Sequence, residues 1–161
     1  MKAIPLLLLC ACATVGKGDG AAPESAPRGL AVPAGNTEKL SARGAGVQIY
    51  ACKDAAWTLK APEADLTDEF GGKAGRHYAG PTWEAVDGSK VVGAKVQEQP
   101  SPDSIPWLLL KAKSNEGAGL FSKITFIQRL DTTGGRAPAG PCEAGQERRV
   151  DYTATYRFFG P

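Results

Sequence analysis

The chain has 161 residues, 42% of them hydrophobic and 22% charged, which leaves room for one ordinary globular domain. Its 19 Lys and Arg against 17 Asp and Glu give a net charge of +2, and Arg148-Arg149 is the only adjacent basic pair. A charge so nearly balanced and so dispersed excludes a phosphate-tracking surface, so no nucleic-acid partner is expected.

The N-terminus, MKAIPLLLLCACA, places Lys2 ahead of a short apolar run over residues 3–11. A bilayer-spanning helix needs about 20 residues, so this run reads as a secretory signal peptide. Two processing readings stay open. Ala11-Cys12-Ala13 fits the small-x-small site of ordinary cleavage, while Leu9-Cys10-Ala11-Cys12 resembles a bacterial lipobox that lipidates Cys12. The second departs from the lipobox pattern at Cys10, where Ala, Ser, Thr or Val is usual. Acyl chains on Cys12 would hold the protein to a membrane, each buried methylene adding about 0.8 kcal/mol. Ala13 after that cysteine, by resemblance to enterobacterial sorting rules, points to the outer membrane. Plain secretion to the periplasm or medium is the alternative.

Residues 14–41 are rich in Gly, Ala, Pro and Ser without apolar periodicity, a composition that buries too little surface to offset chain entropy. The expected organisation is a signal segment over 1–12, a flexible tether over 13–43 and one domain over 44–161. Leu30, Val32 and Leu40 are the tether residues able to pack back on the domain.

From there the chain reads as strands. VQIYAC (47–52) alternates with Val47, Ile49 and Ala51 on one face. DLTDEFGG (65–72) forms one helical turn at most. Asp87-Gly88, between TWEAV and KVVGAKV, is a hairpin signal of type I′, which needs positive φ at both central residues. IPWLLLKAK (105–113) has a continuous apolar centre, which suits a strand covered on both faces. SNEGAG (114–119) joins it to SKITFIQRL (122–130), where Ile124 and Phe126 are expected inward. Residues 131–147 form a long irregular connection; its TTGG (132–135) offers amides for an anion nest, although a tight turn explains it equally simply. In RRVDYTATYRFF, Val150, Tyr152, Ala154, Tyr156 and Phe158 share one face of a half-buried antiparallel strand. The expected fold is all-β, an antiparallel β-sandwich or barrel of seven or eight strands.

Beyond the N-terminal segment only Cys52 and Cys142 remain. In an exported protein they pair as a disulfide, adding about 4 kcal/mol in the chain-entropy model. Metal ligation would need more donors, and neither CxxC nor HxxxH spacing occurs, so no metal and no cofactor are expected.

Candidate chemistry concentrates in GRHYAGPTWE (75–84), which holds the single histidine. Arg76, His77, Tyr78, Trp83 and Glu84 offer aromatic area with polar tips, suited to a glycan or peptide ligand. Trp57 and Trp107 either extend that surface or sit in the core. The competing structural reading packs Tyr78 and Trp83 inside and leaves His77 capping a turn. No GxSxG, HExxH, EF-hand or P-loop pattern occurs, so no catalytic residue is assigned. A carboxylate pair drawn from Glu63, Asp65, Asp68, Glu69, Glu84 and Asp87 keeps a small glycan-directed hydrolase as the alternative.

The series GVQIYACKDAAWTLKAPEADL, GRHYAGPTWEAVDGSKVVG, SPDSIPWLLLKAKSNEGAGLFSKITFIQRLDTTGG and APAGPC resembles domain-of-unknown-function family 3455, found in exported bacterial and fungal proteins. The resemblance runs from about Gly46 to Phe159. It implies a single exported domain and brings no catalytic residue with it. The sequence reading is therefore a lipid-anchored envelope protein carrying a binding or structural β module.

Overall fold

The structure, a computed structural model, describes Pro27 and residues 29–161. The signal segment, the lipobox and Cys12 lie outside the described residues.

Eight antiparallel strands follow one another in chain order: β1 (Thr37–Lys53), β2 (Ala56–Thr67), β3 (Lys73–Tyr78), β4 (Thr82–Ala85), β5 (Lys90–Gln99), β6 (Trp107–Glu116), β7 (Phe126–Gly134) and β8 (Glu147–Gly160). Each pairs with the next, and β8 returns to pair with β1, so the sheet closes into an up-and-down barrel. Closure gives each strand a neighbour on both sides, but β2 before Ala64 and β5 after Val92 run past the short β3–β4 hairpin without a strand partner there. The sandwich alternative is thereby set aside. Among the described residues the only helical element is a 3-10 turn, Leu120–Lys123.

Strand β8 behaves as its alternation requires: Tyr152, Ala154, Tyr156 and Phe158 are buried in the lumen while Asp151 is exposed. Gly44 on β1 lies opposite Ala154. A Cβ there would fall 2.5 Å from the Tyr156 ring, so a bare backbone lets that ring lie across β1. Gly93 serves Trp83 similarly, a Cβ standing 3.0 Å from Trp83 Cζ3.

One end of the barrel is plugged. The 3-10 turn sets Phe121 against Phe158, ring centroids 4.5 Å apart, and the turn is tied to the β4–β5 hairpin. Asp87 Oδ2 accepts the Leu120 amide at 2.8 Å and Ser89 Oγ the Phe121 amide at 2.9 Å. Asp87-Gly88 does make a hairpin, but not of type I′: only Gly88 has positive φ, and the connection is a longer loop in which Ala85 O accepts the Gly88 amide. The two-residue turn with both φ positive is instead Asp54-Ala55, between β1 and β2.

The apolar run of β6 is covered on both faces, as expected. Leu108 and Leu110 belong to the lumen, while Leu109 and Trp107 join Leu30, Leu130, Val32 and Phe126 in a second cluster outside. The segment before β1 lies over β6 and β7, Leu30 fully buried and its carbonyl accepting from Gln128 Nε2 at 2.7 Å. The ordered body thus begins ahead of residue 44, inside the stretch read as tether, because Leu30 and Val32 find an apolar face to cover.

Two facing assignments are corrected. Phe126 points outward and Ile127 inward, because the 3-10 turn and the extended Ile124 precede the strand and reset its parity. On β1 the inward residues are Gln48 and Tyr50, not Val47, Ile49 and Ala51. The lumen at that level is lined by polar groups, so the rule that apolar residues face in gives the wrong side.

Candidate functional site

The motif GRHYAGPTWE folds into the β3–β4 hairpin, with Arg76 opposite Glu84, His77 opposite Trp83 and Tyr78 opposite Thr82. Strand alternation divides the five candidate residues between two faces. Arg76, Tyr78 and Glu84 lie outside. Arg76 Nη2 donates to both Glu84 oxygens at 3.0 Å, Tyr78 donates to Glu84 Oε2 at 2.8 Å, and the guanidinium stands 5.2 Å from the Tyr78 ring centre. The Tyr78 hydroxyl and then Arg76 hold the Glu84 carboxyl below its usual range. A trough of about 660 Å³ runs past these residues and brings Glu63, Asp65 and Glu84 to one outer surface, Arg149 pairing with Glu63 at 3.1 Å.

His77 and Trp83 face the lumen, 3% and 1% exposed. Their rings stack at a centroid distance of 4.2 Å, and Tyr156 meets both at an angle. His77 Nδ1 stands 2.8 Å from the Thr82 carbonyl oxygen. A carbonyl can only accept, so Nδ1 carries the proton and Nε2 is the bare nitrogen. Burial drives the ring's pKa down to about 3, the Thr82 bond opposing and the Arg129 charge adding to the effect. The imidazole is therefore neutral at physiological pH.

At the end away from the plug the lumen opens into a cavity of about 530 Å³. Gln48, Tyr50, His77, Trp83 and Arg129 supply its polar wall, and Leu59, Pro62, Pro81, Ile105, Leu108 and Leu110 its apolar one. Tyr50 donates to Gly135 O at 2.6 Å across the end of the barrel. Deeper in, the Tyr152 and Tyr156 hydroxyls are 3.1 Å apart, and burial pushes both phenols above their ordinary pKa, Tyr156 far above.

Arg129 projects inward from β7, between Leu108 on β6 and Tyr156 on β8. Its Nε and Nη2 donate to Pro106 O at 3.1 and 2.8 Å. No carboxylate pairs with it among the described residues, where every other ion pair is on the outer surface or at the rim. Two lumen donors, Gln48 Nε2 and Trp83 Nε1, are buried and meet no acceptor. Buried polar groups are normally satisfied, so two orphans on one cavity wall are informative.

The remaining candidates fall elsewhere. None of the six carboxylates named above lines this cavity, whose one acid is Glu98, paired at the rim with Lys95 at 2.6 Å. Asp68 Oδ1 accepts the Phe70 and Gly72 amides, and Asp87, its pKa lowered first by Ser89, ties the plugged end. TTGG is the end of β7 rather than a nest, its Gly135 amide donating to Asp151 O. Trp57 lies near the Arg148 guanidinium, 5.8 Å away, and Trp107 lies in the outer cluster. Cys52 and Cys142 form a disulfide between Cα atoms 5.7 Å apart. Among the described residues no group of three or more His, Cys, Asp or Glu could hold a metal ion, and no helix is long and apolar enough to cross a membrane.

The model of a family of proteins of unknown function, DUF3455, matches residues 33–160, the whole barrel and the last few residues before β1. The chain belongs to this family. The DUF3455 match begins between Leu30 and β1, in agreement with an ordered body that starts ahead of residue 44. No curated protein and no solved structure matches the chain. Sequence reasoning missed Gln48 and Arg129, because the parity read from Val47, Ile49, Ala51 and Phe126 put both outside.

Proposed function

We propose that this DUF3455 protein is a non-enzymatic binding module whose barrel lumen receives a small molecule. The observation that carries the reading is the cavity at the open end, about 530 Å³, with an apolar wall and two buried donors lacking acceptors. Ligand pockets of about 300–1,000 Å³ combine apolar area with a few directed polar groups in this way. A lumen plugged at its far end by Phe121 suits a compact ligand better than a glycan or peptide chain threaded through. The hydrolase alternative finds no support in the acids near Trp83, since Glu84 is outside the barrel and its pKa is lowered rather than raised.

The same reading places the module outside the cytosol, tied to lipid through Cys12. The Cys52–Cys142 bridge supports export, because such bonds persist in oxidising compartments. Cys12→Ala is expected to move the protein from the membrane fraction to the soluble one; unchanged retention would remove the anchor.

The binding claim is tested by ligand-observed NMR with a fragment set of neutral, cationic and anionic compounds. Pro62→Trp, opposite the inward Gln48 at the cavity wall, is expected to abolish binding while the barrel stays folded by circular dichroism. If no fragment binds, or if Pro62→Trp binds them unchanged, the lumen is not the site.

A further inference from the structure

We infer that the ligand is a small carboxylate with an apolar body, its carboxylate held by Arg129. This deepens the proposed lumen site and rests on it. Three observations bear on the ligand's charge and shape.

The first is the sign of the lumen. His77 is neutral and Tyr50, Tyr152 and Tyr156 hold their protons, while Lys60 pairs with Glu147 and Lys95 with Glu98, which leaves Arg129 as the cation of the cavity wall without a carboxylate partner. Arg129 is half-buried, and its charge acts on His77 and all three of those tyrosines. An interior cation without a carboxylate partner is costly unless an anion arrives.

The second is the polarity of the orphan groups. Gln48 Nε2, Trp83 Nε1 and the free N–H groups of Arg129 are all donors. Their complement is a group rich in acceptors. Pro106 O occupies the Nε side of the guanidinium and the Tyr156 hydroxyl also bonds to it; both partners are neutral, so the charge is left to meet a planar carboxylate. Pro106 thus orients the fork without neutralising it.

The third is the rest of the wall. Leu59, Pro81, Ile105 and Leu108 give the ligand's body apolar surface, so a bare inorganic anion would leave that part of the cavity unused. The match is an anion carried on a hydrocarbon or aryl frame.

The test is calorimetry on the full folded domain with phenylacetate, 4-phenylbutyrate and hexanoate, each against its uncharged amide. Wild type is expected to prefer each acid by about tenfold or more, the worth of one charge-assisted hydrogen bond. Arg129→Gln is expected to erase that preference while leaving amide binding within about twofold. Arg129→Lys, which keeps the charge and loses the fork, should retain part of it. Gln48→Met removes an orphan donor without touching Arg129, and should weaken acid binding with the melting temperature unchanged or raised. Equal affinity for acid and amide in wild type, or a preference that survives Arg129→Gln, overturns the inference and leaves the lumen site standing. Failure of acids and amides alike overturns both.

Discussion

The His77 imidazole lies flat against the Trp83 indole, centroids 4.2 Å apart and planes within 8°, with both rings sealed inside the barrel. A charged imidazolium in that position would lose its hydration, so the native state refuses a proton that the unfolded chain accepts.

The consequence for stability has a definite sign. The native pKa of His77 is about 3 against an ordinary 6.5, so between those values the unfolded state binds more protons. Stability is fully present above pH 6.5 and declines toward pH 3, by up to about 1.4 kcal/mol for each pH unit. Glu84 and Asp87, both lowered, add their own losses only at more acidic pH, which isolates His77 between pH 6.5 and 4.5. Urea melts across that window should show a falling midpoint in wild type and a flatter one in His77→Phe. Equal slopes in the two proteins would mean His77 is not held neutral.

How much of this was legible in the sequence depended on what each strand faces. The run from Val150 to Phe158 alternates cleanly because its inner side is apolar throughout. The Leu108–Leu110 stretch betrayed burial on both sides because its outer face lies under Leu30. Gln48 and Arg129 misled because a lumen with a polar wall inverts the usual pattern, and one chain cannot reveal which stretch of barrel is wet inside. Within GRHYAGPTWE the residue types were suggestive, but adjacent side chains on a strand point to opposite sides. Arg76 and His77 are neighbours in sequence and are separated by the sheet. The Asp54-Ala55 turn lacked the glycine that makes such turns readable.

Closing the barrel depends on Gly44. A methyl group there would sit 2.5 Å from the fully buried Tyr156 ring, closer than real Cβ contacts come. Gly44→Ala should cost about 1–3 kcal/mol, the usual scale of overpacking, read as a lower denaturation midpoint. Ala45→Gly, on the exposed alternate position, serves as the control for strand propensity. A Gly44→Ala protein as stable as wild type would contradict the packing described for Tyr156.

The Cys52–Cys142 bridge spans 90 residues and ties the end of β1 to the long connection before β8. Reduction, or the paired change of both cysteines to alanine, should lower stability by about 4 kcal/mol in the chain-entropy model. Non-reducing thermal melts of the wild type against the double variant measure it. Free thiols in the natively purified wild-type protein, or identical melts, would rule out the bridge as a staple.

The central claim is that ligand enters the lumen beside Trp83. The chain has 3 tryptophans, so its indole N–H signals are few enough to assign one by one. Trp83 is the one that lines the cavity, while Trp57 and Trp107 do not. Titrating 4-phenylbutyrate into nitrogen-15-labelled protein should shift the Trp83 indole resonance and leave the other two in place. Movement of Trp57 or Trp107 with Trp83 unmoved, or no movement at saturating ligand, would contradict a binding site inside the barrel.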